Sequence, residues 1–84
     1  MKLVLSKKAV RQLRKIKNNH ELLHRLKNSL QEILKNPHVG KNLVGDLQGI
    51  MSYRVGDWRI LYEVYDDRLL ILVISVADRK DVYR

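Results

Sequence analysis

The apolar positions in the first part of the chain predict one strand followed by one helix. A short apolar segment, residues 1–5, leads into Ser6, a residue type that often caps the first turn of a helix. Beyond Ser6, apolar residues recur at helical spacing to about Lys17. They are Ala9, Val10, Leu13 and Ile16. We therefore expect a strand at the N-terminus and a first helix after it.

A second and longer helix is predicted after a polar break at residues 18–20. Its apolar residues recur at intervals of three and four. They are Leu22, Leu23, Leu26, Leu30, Ile33 and Leu34. Asn36-Pro37 should end the helix, because the residue before a proline avoids helical dihedral angles. Since each helix has one apolar side, we predict that the two form a short antiparallel hairpin.

The remaining sequence predicts a surface loop and then three strands. Residues 38–49 contain three glycines among polar residues, which is typical of a loop. Three runs rich in β-forming residues follow, at 50–55, 58–65 and 69–76, and short turn signals separate them. The third run is apolar at both odd and even positions, so it should be central in the sheet, with the N-terminal strand beside it. These elements predict an α+β fold: a three-stranded antiparallel meander completes a four-stranded sheet, and the helices pack on one face.

Strand alternation divides the middle run into two faces. Trp58 begins the set that should be buried against the helices, because its large ring gains most from burial. Arg59 begins the other set, on the face that the helices leave partly open. We therefore take the face of Arg59 as the candidate site. The charged tail that starts at Ala77 is expected to leave the sheet.

Length and cysteine content limit the possible functions. A chain of 84 residues accommodates a single domain, 1–84, with a small core. The absence of cysteine excludes a disulfide framework, a thiol nucleophile, a zinc finger and an iron–sulfur centre. His20 and His24 have metal-ligand spacing, but no third ligand lies within reach in the sequence. We therefore predict no metal and no cofactor.

The longest apolar run, within residues 69–76, is far too short to span a membrane. The N-terminus has no apolar core or cleavage site of a secretory signal. These observations predict a cytoplasmic protein without a membrane partner.

The charge is strongly positive and unevenly distributed. Seventeen Lys and Arg against nine Asp and Glu give a net charge of +8, the sign expected of a protein that meets a polyanion. Ten of the basic residues but only two of the acidic ones lie in residues 1–36, and residues 37–84 hold seven of each. The whole excess therefore lies in the first half of the chain, which contains the predicted helices. A solvated, lysine-rich helix surface would explain the charge equally well.

Several stretches together resemble the RelE/ParE superfamily of small toxins from toxin–antitoxin operons. The most specific are YRVGDWRILYEV, at residues 53–64, and RKDVY, at 79–83. Weaker matches are LVLSKKA at 3–9, LKNP at 34–37 and LVGDL at 43–47. The resemblance covers nearly the whole chain and is nearest to the RelE-like branch, whose fold would be the one predicted above.

The resemblance implies a function. RelE-like toxins cleave mRNA in the ribosomal A site without a metal, and an antitoxin encoded beside each toxin holds it inactive. It therefore implies a ribosome-dependent mRNA endonuclease whose partners are the ribosome, A-site mRNA and a cognate antitoxin. For a protein this basic we expect that antitoxin to be acidic and partly disordered.

The resemblance also implies which residues carry the chemistry. Arg59 and Arg79 match motif arginines, and arginine is well suited to stabilise a phosphorane because its planar fork stays charged. Tyr83 matches a motif tyrosine that could stack on a base or transfer a proton. We assign RNA binding to Arg54 and Lys80.

One departure from the family pattern leaves the mechanism incomplete. The strand before the glycine turn has Met51 and Ser52 where active relatives often have further basic residues, so the general base is not identified. Asp78 has the right chemistry, but an ion pair with Arg79 is the simpler role for it. Two alternatives therefore stay open: a ParE-like inhibitor of DNA gyrase, and a toxin fold without catalytic activity that only binds.

Overall fold

The computed structural model describes residues 1–80, in which two helices pack on one face of a mixed five-stranded sheet. The elements are β1 (Lys2–Leu5), α1 (Lys7–Lys15), α2 (His20–Lys35), β2 (Lys41–Asn42), β3 (Met51–Val55), β4 (Trp58–Tyr65) and β5 (Leu70–Asp78). Short 3-10 turns lie at Gly45–Leu47 and Asp66–Arg68. The predicted α+β architecture is confirmed.

The start of α1 and the end of α2 agree with the sequence prediction, and the other two boundaries differ from it. Helix α1 ends at Lys15 and not at about Lys17, and α2 already begins at His20, which the sequence placed in the break. The Oγ of Ser6 accepts a hydrogen bond from the Ala9 N–H at 3.0 Å, so Ser6 caps α1. The same hydroxyl donates to the Ile74 carbonyl at 2.6 Å and thereby ties the start of α1 to β5. Helix α2 ends at Lys35, just before Asn36-Pro37. Neither helix in the described part of the chain is long and apolar enough to cross a membrane.

The strand order is β1-β5-β4-β3-β2. Strand β5 lies between β1 and β4, as its apolar sequence predicted, and it pairs with β1 in parallel and with β4 antiparallel. The predicted count of four strands is wrong, because Lys41 and Asn42 pair with Ser52 and Met51 as a fifth, two-residue strand. So short and polar a segment has no alternation from which a strand could be recognised.

The predicted end of the last strand is also wrong, since β5 continues to Asp78. The register of β5 against β4 shifts between Leu61 and Tyr62, where Leu61 pairs with Ser75 and Tyr62 with Val73. The extra residue on β5 changes which positions face the helices. Ala77 is buried beside Leu61 on the face opposite the helices, and the chain stays in the sheet through residues whose polar character predicted that it would leave.

Two hydrophobic clusters cover the two faces of the sheet. The main core lies between the helices and the sheet and has Leu26, Ile33, Ile60 and Tyr62 among its buried residues, with Trp58 packed against it as predicted. A smaller cluster lies on the other face. It consists of Leu61 and Ala77 with Leu43, Ile50 and Ile74 packed around them. The face opposite the helices is thus partly covered, and Arg54, next to the β3–β4 turn, is exposed.

Candidate functional site

Arg54 and Arg59 lie side by side on the face opposite the helices. They are direct partners in the β3–β4 register. Their neighbours in sequence, Tyr53, Val55 and Trp58, belong to or pack against the main core, so the two arginines project to the opposite face. Arg54 is exposed and Arg59 is half-buried. The structure therefore brings together two of the arginines that the sequence singled out.

The β3–β4 turn organises these side chains. Its two central residues are Gly56 and Asp57, and Gly56 has a φ of +62°, a conformation that glycine adopts at little cost. The Gly56 carbonyl accepts hydrogen bonds from Nε of Arg54 at 3.2 Å and from Nη1 of Arg59 at 3.3 Å. The same Nη1 also donates to the Trp58 carbonyl at 3.1 Å. One turn carbonyl thus holds both guanidinium groups.

The second carbonyl of the turn positions Arg79. The backbone N–H of Arg79 donates to the Asp57 carbonyl at 2.7 Å, which continues the pairing of β5 with the hairpin beyond Asp78. Arg79 and Lys80 are both exposed. Three arginines therefore gather around the Gly56-Asp57 turn. Tyr83, the remaining predicted site residue, lies outside the described residues.

Within the described residues 1–80, no carboxylate forms an ion pair with this arginine group. Within residues 1–80, the one ion pair with a nitrogen–oxygen distance of 4.0 Å or less joins Lys35 and Glu32 on α2. Like charges directly opposite each other on paired strands destabilise a sheet. A bound anion would relieve this repulsion, so the arrangement is suited to recognition of a phosphate.

Two carboxylates near the site are placed unfavourably for a general base. Asp78 pairs with Trp58 in the β4–β5 register and lines clefts together with helix residues, so it projects to the opposite face from Arg59. It accepts a hydrogen bond from the Lys80 N–H at 3.1 Å and forms no ion pair with Arg79. Glu63 accepts a 2.5 Å hydrogen bond from the Tyr65 hydroxyl, and this bond raises the pKa of Tyr65.

The histidines also lie away from the arginine group. The sequence has no histidine after His38, and His20 and His24 belong to α2. Among residues 1–80, no three His, Asp or Glu side chains come together in a way that could hold a metal ion. The described part of the site consequently offers cationic stabilisation without an evident proton acceptor.

The sequence reasoning missed the part that the turn itself plays. Gly56-Asp57 was recognised as a turn signal, but its carbonyls had no predicted role. The glycine in this two-residue hairpin turn could have indicated such a role, because a tight turn holds the flanking strand ends, and the side chains on them, close to its carbonyls. The local sequence pattern does not predict which side chains donate hydrogen bonds to the carbonyls of the turn.

Comparison with known proteins identifies the family. The model of the ParE toxin family, described as the toxin of the type II toxin–antitoxin system parDE, matches residues 3–83. The chain belongs to this family. The resemblance found in the sequence is thereby confirmed.

Curated relatives and solved structures point to the RelE-like members. Toxin RelE of Mycobacterium tuberculosis is 42% identical over 53 residues, which make up 62% of this chain and 55% of that protein. The chain spans about half the length of the curated relatives that it matches. These proteins bear RelE-type names, in agreement with the branch that the sequence motifs indicated.

Two solved structures share the fold over nearly the whole chain. The RelBE2 toxin–antitoxin complex of Mycobacterium tuberculosis is similar with a TM-score of 0.80 and 26% identity, covering 93% of this chain and 96% of that one. The isolated RelE toxin of E. coli gives a TM-score of 0.76 and 26% identity, covering 96% of this chain and 88% of that one. The whole described fold is therefore that of a RelE-like toxin.

Proposed function

We propose that this chain is a toxin that cleaves mRNA in the ribosomal A site without a metal ion. One observation carries the proposal: a two-residue turn holds Arg54 and Arg59 on the sheet face that the helices leave free, and it also accepts a hydrogen bond from the backbone of Arg79. Arginine donates two parallel hydrogen bonds to phosphate and remains charged at any physiological pH. The similarity to toxins named RelE supports an RNA substrate.

The reaction would use the RNA's own 2'-hydroxyl as the nucleophile. Its oxygen bonds to the adjacent phosphorus, and the bond from phosphorus to the 5'-oxygen breaks. A base takes the 2'-proton, and an acid returns a proton to the departing 5'-oxygen. The products are a 2',3'-cyclic phosphate and a 5'-hydroxyl. Negative charge develops on the phosphorane oxygens, so cations held in place beforehand lower the barrier.

The predicted site residues divide into three roles. Arg59 and Arg79 would stabilise the phosphorane, while Arg54 and Lys80 would bind the flanking RNA backbone. Tyr83 is the proposed partner for base stacking or proton transfer. In the absence of bound RNA, Nη1 of Arg59 is already oriented by two backbone carbonyls, which limits the side-chain entropy lost on binding.

The basic surface of α1 supports the ribosome as the site of action. Its nine residues include no Asp or Glu. The exposed positions Lys7, Lys8, Arg11, Arg14 and Lys15 carry its positive charge. Such a surface would neutralise ribosomal RNA phosphates while the opposite sheet face addresses the codon.

A cognate antitoxin is the second proposed partner. The family is defined by toxin–antitoxin pairs, and one of the similar structures is such a complex. For this chain we propose an acidic, partly disordered antitoxin segment that folds on the toxin, because a net charge of +8 favours an acidic ligand. Inhibition would follow from covering the arginine site or from preventing entry into the A site.

Primer extension in a purified translation system tests the proposal. With the toxin added, we expect cleavage between nucleotides of the A-site codon on translated mRNA, and little cleavage when ribosomes are omitted. Equal cleavage of naked RNA would contradict the dependence on ribosomes. A supercoiling assay with DNA gyrase should run in parallel, because the matched family is named after ParE. Inhibition of gyrase without RNA cleavage would favour that alternative, and inactivity in both assays would favour a binding module.

A further inference from the structure

The β3–β4 turn contacts α2 as well as the two strands that it joins. A methyl group placed on Gly56 would lie 2.9 Å from Nη2 of Arg25 and 3.6 Å from Cζ of the same residue. The guanidinium of Arg25 therefore occupies the space that a side chain at position 56 would take. It approaches the turn from the helix side, whereas Arg54 and Arg59 lie on the opposite face.

The surroundings of Arg25 argue against a role in stability alone. It lines a shallow cleft of about 300 Å³ together with the carboxylate-bearing residues Glu21, Asp57 and Asp78. None of these three carboxylates lies within 4.0 Å of the Arg25 guanidinium. An arginine whose role is an ion pair would contact one of these carboxylates, but the Arg25 guanidinium lies against Gly56 of the turn. Arg25 is an exposed residue, and the contact of its guanidinium with the turn is the observation on which a role for it rests.

We propose that Arg25 is a positioning residue for the arginine site. By filling the space beside Gly56, its guanidinium prevents the turn from moving toward α2. The Gly56 carbonyl then keeps the direction in which it accepts from Arg54 and Arg59, and the Asp57 carbonyl keeps its bond to the Arg79 backbone. The inference rests on the proposed function wherever the rate of RNA cleavage is the readout.

Glycine at position 56 would accordingly serve two purposes. It adopts the positive φ that the turn requires, and its lack of a side chain leaves room for Arg25. Small displacements of a catalytic group can cost about 10²-fold in rate. Because Arg25 acts through the turn and does not touch the reacting atoms, we expect a smaller effect, about tenfold on the maximal rate.

The kinetic test compares Arg25→Ala and Arg25→Lys with Arg68→Ala, a matched control that removes an exposed arginine at the β4–β5 turn. Cleavage is measured over a range of ribosome concentrations. We expect Arg25→Ala to lower the maximal rate about tenfold at an unchanged half-saturating concentration, since the site is misaligned but the binding surface is intact. Arg25→Lys should recover part of the loss, and Arg68→Ala should retain the normal rate. An unchanged maximal rate in Arg25→Ala, or a change in half-saturation alone, would overturn the proposal.

A second measurement is independent of RNA cleavage. Amide hydrogen exchange of Arg79 reports the bond from its N–H to the Asp57 carbonyl. This amide should exchange faster in Arg25→Ala than in the unmodified protein at an equal melting temperature, and at the normal rate in Arg68→Ala. If the unmodified protein cleaves no mRNA, the proposed function fails, but faster exchange still supports the positioning role. Unchanged exchange contradicts that role in either case.

Discussion

Arg54 and Arg59 face each other directly across β3 and β4 and donate hydrogen bonds to the same acceptor, the carbonyl of Gly56. Two cations in this arrangement repel each other, and in the described part of the chain no carboxylate forms an ion pair with either. The hydrogen bonds to the shared carbonyl offset this repulsion only weakly. The pair is best explained as a site prepared for an anion, in which a phosphate would accept the hydrogen bonds now made to the turn.

The first prediction concerns the two arginines assigned to the phosphorane. Arg59→Ala and Arg79→Ala should each lower the rate of A-site cleavage by about 10² to 10³, the usual loss for one preorganised donor. Lysine at either position should restore activity only in part, because a point charge lacks the two-pronged geometry. The rate is measured by primer extension with a fixed amount of toxin.

Arg68→Ala provides the control for that comparison, since Arg68 is cationic and, like Arg79, exposed, but lies beyond the far end of β4, where its guanidinium is 5.8 Å from the centre of the Tyr65 ring. It should cleave mRNA at the normal rate. Circular dichroism should give the same melting temperature for all variants. Full activity of both alanine variants at positions 59 and 79 would remove these residues from the site.

The second prediction concerns metal dependence. The sequence lacks cysteine, and in the proposed mechanism arginines would take the part that a metal could have in neutralising phosphate charge. Cleavage should therefore be insensitive to EDTA once the magnesium that ribosomes need is supplied separately. The cleaved RNA should end in a 2',3'-cyclic phosphate, which gel mobility before and after phosphatase treatment reveals. A 5'-phosphate on the other fragment would indicate attack by water and contradict the mechanism.

The third prediction concerns inhibition by the antitoxin. The basic excess lies entirely in residues 1–36, so we expect an acidic antitoxin segment to wrap the helices and to make at least one contact with the C-terminal segment. Ordering such a segment costs roughly 2 to 5 kcal/mol, which requires a long interface. An antitoxin that lacks only the segment contacting the arginine face should still largely prevent the toxin from arresting translation. Complete loss of inhibition by that deletion would show that wrapping is insufficient.

The fourth prediction concerns a buried tyrosine that fastens the loop after α2. Tyr62 is fully buried, and its hydroxyl donates to the Pro37 carbonyl at 2.8 Å and accepts from the Gly40 N–H at 3.0 Å. Tyr62→Phe leaves both backbone groups without this partner and should lower the free energy of unfolding by about 1 to 3 kcal/mol. Urea denaturation at pH 7 measures the loss.

The same pair of proteins also tests a pH dependence. Burial raises the pKa of Tyr62, so the folded protein holds this proton more tightly than the unfolded chain. The hydroxyl's contribution is therefore fully present below about pH 10, the ordinary tyrosine value, and falls as the pH rises toward the raised pKa. The difference in unfolding free energy between the unmodified protein and Tyr62→Phe should shrink above pH 10. A difference in unfolding free energy that stays constant above pH 10 would contradict this pH dependence.

The sequence by itself determined the elements and their faces. Helical spacing, the Ser6 cap and the Asn36-Pro37 stop defined both helices, because these signals act between neighbouring residues. Strand alternation correctly separated Trp58 from Arg59, and the apolar character of β5 predicted its central position. The order of the main elements and the family could thus be predicted from local patterns and from the motif resemblance.

Only the tertiary structure decided how the site is assembled. The pairing of Lys41–Asn42 as a fifth strand, and the register shift that keeps Ala77 in the sheet, depend on partners far away in the chain. The convergence of Arg54, Arg59 and the Arg79 backbone on one turn, with Arg25 behind it, joins four separate segments. Contacts of this kind depend on packing in three dimensions, which no local periodicity encodes.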